Sequence, residues 1–434
     1  MNGSWSGRRA VGALMIALPI VSAFASIARA VPVFSRKYHT SCSTCHYAFP
    51  QLNAFGKAFQ AHGYRYPGDD ANLRKDDPVS LGSEAYKQVW PNAIWPSDIP
   101  GTSPLAIHAS GTFEVPFSQP DSVAKTNFIF PEHVQLFYTG TLGENFSFFG
   151  EVELEDDGGN VAVGFPFRFT YNGAPGLNVV AGSLHFDPSP GDFGLIPSDY
   201  NVSAFASRNG WTAGGEQPGL GLWGAGNGSG GRGGWKYMGG IVSGQGGGAP
   251  GADKDYFARA SYKIGGLGEI GGTEGQASAK SAFYRDNSAT IGGYVYTGKV
   301  AGDAATAFFA DREDLTVTAG TADVWYGNAI LNTTVMAMTS KIPDRPGTPD
   351  RKSLIWYAQG QYVIYPWLIG LARYEATDED TQDGVSPGTT LIPAVVGMVR
   401  ANVKLTLEYR RPMSDYSTRK VDEEHMLLRV NFAM

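Results

Sequence analysis

The chain has 434 residues, of which 17% are charged against about 25% in an ordinary soluble domain, and it carries 57 glycines, close to twice the usual share. A net charge of −7 argues against a nucleic-acid partner, glycines without a period of three exclude collagen, and two cysteines cannot staple a disulfide framework. A mean hydropathy of −0.18 excludes a bundle of membrane helices.

Residues 1–30 read as an export signal. Arg8 and Arg9 form its charged start, Ala10 to Ile27 is almost wholly apolar, and Ala28-Arg29-Ala30 is a small-x-small cleavage site. The competing reading, a membrane anchor, is weakened by Pro19 and by that ending. Beyond residue 30 the sequence lacks an apolar run of about 18 residues, so no membrane helix is expected in the mature chain. The protein is therefore expected in the periplasm or as an outer-membrane barrel, which implies a Gram-negative source.

Residues 31–67 hold both cysteines and the histidines His39, His46 and His62. Cys42-Ser43-Thr44-Cys45-His46 is a C-x-x-C-H motif. Two thiols three positions apart can form thioethers with the two vinyl groups of one haem, and the adjacent His46 then lies under the iron. A redox C-x-x-C would want a thioredoxin-like frame, and a zinc site would want two more close ligands. A plain disulfide leaves His46 without a role. One covalent haem c is the reading that uses all three residues.

The stretch after His46 predicts a helix, with Pro50 in the first turn and Gly63 just past the end. Phe49, Leu52, Phe55 or Gly56, Phe59 and His62 recur at spacings of three and four and form the expected haem-facing wall. So short a domain buries little core of its own, and the haem would supply much of its centre. His62 is the favoured second axial ligand. His39, a later histidine such as His108, His133 or His185, or an open position remain alternatives.

Residues 68–103 are rich in Pro, Asp and Trp and read as a linker. From 104 to 434 the pattern alternates strand and turn. Leu105, Ile107, Ala109, Gly111, Phe113, Val115 and Phe117 share one face of a strand. Phe146, Phe148, Gly150, Val152 and Leu154 do the same, opposite Ser147, Phe149, Glu151 and Glu153. So do Leu354, Trp356, Ala358, Gly360, Tyr362 and Ile364. In the later strand Val403, Leu405, Leu407 and Tyr409 oppose Lys404, Thr406 and Glu408. Strand lengths of about 9–13 residues, aromatic ends and full charges on the polar face favour a transmembrane barrel over a soluble sandwich. About 16 antiparallel strands are expected, and 18 on a generous count. The last strand, His425 to Met434, resembles the C-terminal strand read by the outer-membrane assembly machinery. Asp187–Gln217 and the acidic Thr377–Thr389 read as long loops, and the glycine-rich Trp211–Gly251 hides its strand boundaries.

The run Val31-Pro32, Phe34, Arg36, Ser41, Cys42, Cys45, His46, Phe49-Pro50, Leu52-Asn53, Phe55-Gly56, Phe59 and Gly63-Tyr64, followed by a barrel, resembles the fused monohaem cytochrome–porin family. That family includes outer-membrane cytochromes proposed to oxidise iron(II). The match covers the motif region; over the barrel the likeness is one of architecture. The resemblance implies an all-β transmembrane barrel preceded by a small α-helical cytochrome c domain lying in or against the barrel mouth. It also implies a conduit in the cell outer membrane, passing electrons between an extracellular donor or acceptor, iron foremost, and a periplasmic carrier such as a soluble cytochrome c. Two other functions use the same motif: a diffusion porin with a structural or gating haem plug, and a haem sensor with an open distal position.

Overall fold

The computed structural model describes residues 33–67, 70–75, 79–80, 98–99, 103–117, 126–143, 145–157, 160–185, 194–203, 216–244, 254–271, 283–301, 312–341, 350–382, 384, 386–414 and 424–434. The export signal and most of the linker lie outside these residues. Among them no helix is long and apolar enough to cross a membrane.

The strands are β1 (Leu105–Pro116), β2 (Asn127–Leu142), β3 (Phe146–Asp157), β4 (Asn160–Gly164 with Phe167–Ala174), β5 (Leu177–His185), β6 (Glu216–Asn227), β7 (Gly234–Val242) and β8 (Asp255–Gly265). They continue with β9 (Ser288–Ala301), β10 (Arg312–Tyr326), β11 (Ala329–Lys341), β12 (Arg351–Tyr365), β13 (Leu368–Asp378), β14 (Gly388–Arg400), β15 (Val403–Pro412) and β16 (His425–Ala433). Both halves of β4 pair with β3, one with Glu153–Asp157 and the other with Phe146–Gly150. They are one strand, broken at Phe165-Pro166, where proline cannot donate to the ladder. The result is a closed antiparallel barrel of sixteen strands. Closure comes from β16 on β1, with Met426 opposite Val115 and Phe432 opposite Ala109.

The alternation read from the sequence sorts the two faces as expected. Leu354, Tyr362 and Ile364 are 40–55% exposed on the outside of β12, while Ile355, Gln359 and Val363 between them are buried. In β15 Lys404, Thr406 and Glu408 point inward and are buried. An outward apolar surface bounded by aromatic residues is the signature of a lipid-facing belt. Exposed Trp235, Tyr262, Tyr326, Tyr365 and Trp367 mark one rim, and Phe117, Phe128, Phe130 and Tyr256 the other.

The two ends differ in their connections. Two-residue turns join β4–β5, β10–β11, β12–β13 and β14–β15 at one end. Long connections leave the other end after β1, β5, β7, β9, β11, β13 and β15. Outer-membrane barrels keep short turns on the periplasmic side, which sets the orientation. The exceptions are 266–287 between β8 and β9, a long connection at the short-turn end, and 158–159 between β3 and β4, a two-residue connection at the other.

The interior is drier than the charged face of β15 suggests. Leu315, Val317, Met336, Met338, Ile355 and Tyr357 line one inner wall and are buried. The reason is segment 194–203, which the sequence pattern treats as part of a loop but which folds into the lumen between β5 and β6. Tyr200 stacks on Tyr357 with ring centroids 4.4 Å apart. Asn201 Nδ2 donates to the carbonyls of Trp356 and Ala376, both at 3.0 Å. Arg373 Nη2 donates to the carbonyls of Ser198 and Asp199 at 2.8 Å, and Ser198 N donates to Glu408 at 3.1 Å. The lumen charges thus pair with the backbone of the inserted segment.

Candidate functional site

Residues 33–67 form a small plug in the short-turn mouth. Helix α1 spans Val33–Tyr38 and helix α2 spans Ala54–Ala61. Between them lie a single 3-10 turn, Cys42–Thr44, and a hairpin of His46–Ala48 with Gln51–Leu52. The expected helix therefore starts later than Pro50. Residues 51–52 are used by the hairpin, and the Pro50 carbonyl accepts a hydrogen bond from His46 Nδ1 at 2.8 Å. The C-terminal end matches the expectation. Gly63, at φ 64°, takes the left-handed position after His62. Its N–H donates to Gln60 O and that of Tyr64 to Phe59 O, both at 3.0 Å, a Schellman closure.

Asn53 is the joint between the motif and α2. Its Oδ1 caps the helix by accepting from Gly56 N at 2.9 Å. Its Nδ2 donates to the carbonyls of Ser43 and Thr44 at 3.3 and 3.1 Å, and its own N–H donates to Cys45 O at 2.9 Å. The sequence carried a signal for this role, an Asn directly before a helical run, but the links back to the motif needed the fold.

Contacts around the mouth hold the plug. Arg36 donates to the carbonyls of Ser103 and Leu105 at the start of β1. Lys37 Nζ donates to Thr141 Oγ1 on β2 at 3.0 Å. Arg65 Nη2 donates to the carbonyls of Gly143 and Phe146 at 2.9 Å. Lys57 pairs with Asp323 on β10 at 2.7 Å, and the Tyr47 hydroxyl donates to Gln361 on β12 at 3.0 Å. Tyr47 and Ala48 share a buried cluster with Leu195 and Ile196, so the plug also packs against the lumen segment.

A cavity of about 880 Å³ opens between plug, wall and lumen segment, at the upper part of the range for cofactor sites. Cys42, Cys45, His46, Phe49, Leu52 and Phe59 all line it. Two of the expected wall positions differ. Of the pair Phe55 or Gly56, Gly56 is on the wall, whereas Phe55 packs with Tyr38 and Phe59 in the plug's own core. His62 is not on the wall either, and its Nδ1 turns back to the Ala58 carbonyl at 3.3 Å. The reason is the later helix start: Phe49 and Leu52 are not part of α2, so His62 does not extend a stripe through them. His39 is also off the wall, whereas the barrel histidines His108, His133 and His185 are on it.

The donor set fits the expected haem c. Both cysteines are free thiols, half-buried beside the cavity. Burial pushes the Cys45 thiol up to about 12, with the neighbouring Cys42 adding to the rise. His46 anchors Nδ1 on the Pro50 carbonyl, and metal-ligating histidines are held in this manner through the nitrogen that does not bind the metal. The ring of Phe49 lies edge-on to His46, with centroids 5.6 Å apart. No cluster of His, Cys, Asp and Glu able to hold a metal by itself is found among the described residues.

The fold, its lipid-facing belt and the asymmetry of its ends define an outer-membrane β-barrel. Solved structures agree. The chain is similar to the outer membrane protein OmpT of Vibrio cholerae in a loop L8 deletion mutant, with a TM-score of 0.51 at 11% identity over 77% of this chain and 99% of that chain. An in-vitro folded trimer form of the same protein gives 0.51 at 10% identity over 77% and 99%, and the outer-membrane expressed form 0.50 at 12% over 82% and 100%. At this identity the likeness is one of fold. No protein-family model and no curated protein sequence matches the chain.

Proposed function

We propose that the protein is an electron conduit of the outer membrane, carrying one covalent haem c on Cys42, Cys45 and His46. It would pass electrons between an extracellular donor or acceptor, iron foremost, and a periplasmic carrier such as a soluble cytochrome c. The observation that carries this reading is the position of the C-x-x-C-H motif. It lines a cavity inside a closed barrel, at the mouth that faces the periplasm. The bound haem would supply a one-electron couple matched to iron. The chain's own residues do the rest. His46 is fixed in orientation by Pro50, and Phe49, Leu52 and Phe59 supply apolar walls. The closed sheet spans a layer that otherwise blocks charge and holds the site at its periplasmic mouth.

The diffusion-porin alternative fits less well. Among the described residues, plug and lumen segment pack against each other inside the barrel, which leaves a lined cavity in place of a clear channel.

The test is a reduced-minus-oxidised spectrum of the purified protein on addition of iron(II). Rapid appearance of a reduced c-type spectrum is expected. A haem that stays oxidised would remove iron as donor, and a chain without covalent haem would remove the reading altogether.

A further inference from the structure

We propose that His108, on the lumen face of β1, is the second axial ligand of the haem, so that the iron joins plug to barrel. This rests on the haem reading above. His46 and His108 line the same cavity, one from the plug and one from the wall. The Phe49 ring stands edge-on to both, with centroids 5.6 Å from His46 and 5.3 Å from His108. The two imidazoles thus contact the same phenyl ring on the wall of a cavity of cofactor size.

The hydrogen bonds of His108 mirror those of His46. Its Nδ1 lies 2.6 Å from Gln135 Oε1, an acceptor, so Nδ1 carries the proton. Gln135 is itself held, its Nε2 donating to Glu153 Oε1 at 3.1 Å. His108 Nε2 accepts from Asn431 Nδ2 at 3.2 Å and therefore presents its lone pair. That is the tautomer an iron requires, with the second nitrogen anchored by an oxygen in the manner of metal-ligating histidines. Nε2 would exchange the Asn431 amide for the iron. Beside it, Asn431 lines the cavity with Oδ1 buried and without a hydrogen-bond partner in the protein.

The competing groups are placed less well. His62 and His39 are off the wall. His133 anchors Nδ1 on Glu153 Oε1 at 2.9 Å in the same way, and His108 is preferred to it for the contact that His108 shares with His46 at Phe49. His185 ends β5, at the long-loop end and away from the plug. Met238, on β7, accepts from Arg259 Nη2 at 3.4 Å.

The experiment compares the full chain with His108→Ala, His108→Met and His62→Ala. A haem-stained gel and heat-modifiable mobility establish covalent haem and barrel assembly in each. The wild type is expected to be low-spin and indifferent to carbon monoxide. His108→Ala should turn high-spin, bind carbon monoxide when reduced, and return to low-spin with added imidazole. His62→Ala should leave the spectrum unchanged. His108→Met should stay six-coordinate with a raised reduction potential, because thioether ligation favours the ferrous state; a merely structural histidine would not move the potential. A low-spin His108→Ala indifferent to carbon monoxide, a high-spin wild type, or a thioether-to-iron band in the wild type would each overturn the assignment. Absence of haem stain in the wild type would instead overturn the haem reading on which it rests.

Discussion

A methyl group added at Gly56 would lie 2.1 Å from the Cys45 carbonyl oxygen and 2.9 Å from Leu52 Cδ2. Gly→Ala in a helix interior ordinarily stabilises by about 1 kcal/mol. Here overpacking of about 1–3 kcal/mol should reverse the sign, since the obstructing atoms are motif backbone. Gly56→Ala is therefore expected to lower both the thermal midpoint and the yield of haem-stained protein. A stabilised, fully loaded variant would show that α2 and the motif are less closely packed than described. At the cysteines, Cys42→Ala or Cys45→Ala should each weaken haem attachment and the double change should abolish it, as read on a haem-stained gel. No other thiol is present to form a thioether. These positions stand out in the sequence because C-x-x-C-H has the spacing that a covalent haem would need. His108 was far less so. A histidine at a lumen-facing position of an alternating strand is indistinguishable by pattern from Ser110 or Thr112 beside it, and only the closure of the barrel brings it to His46.

Helix α2 begins where Asn53 satisfies its first turn, and that same side chain grips the Ser43 and Thr44 carbonyls. Loss of an Asn cap costs about 1 kcal/mol in general, within a range of about 0.5–2. Asn53→Ala should reach the upper end and also reduce haem loading, because the motif loses its anchors with the cap. A loss of stability with unchanged haem loading would confine Asn53 to helix capping. Strand β15 offers a test of register. Leu405 faces outward, while Lys404 is buried with Nζ donating to Leu195 O at 3.1 Å. Leu405→Arg should impair assembly, at about 2–4 kcal/mol for a charge near the bilayer midplane. Lys404→Leu should be milder, losing one tie to the lumen segment. Retained heat-modifiable mobility for Leu405→Arg and its loss for Lys404→Leu would mean an inverted register. The period of two made these faces readable from the sequence. The helix start was misjudged because Pro50 is a good first-turn residue wherever its carbonyl is not already engaged. Here it holds His46.

For the whole molecule, the barrel was legible, and so, through the resemblance, was a small domain at its mouth; the filling of the lumen was not. Sixteen strands follow from segment length and alternation, which are local properties. The lumen segment 194–203 has no local signature, since its buried placement depends on Glu375, Glu408, Arg373 and Lys404 on distant strands. The same holds for the seating of the plug. Asp323 accepts from Lys57 and also from Trp325 Nε1 and Asn332 Nδ2, each at 2.7 Å. Asp323→Ala removes the plug's ion pair with β10 and should raise ion conductance across planar bilayers as the plug loosens. An unchanged conductance would show that Arg36, Lys37, Arg65 and Tyr47 suffice to seat it.

The central claim, passage of electrons through this barrel by way of the plug, is tested most directly in vesicles. The protein is inserted into liposomes enclosing oxidised soluble cytochrome c, iron(II) is added outside, and the internal cytochrome is followed by absorbance. The account predicts reduction of the enclosed cytochrome with the wild type and none with the Cys42→Ala, Cys45→Ala double variant. An enclosed cytochrome that stays oxidised, in vesicles whose barrels are assembled and carry covalent haem, would contradict it.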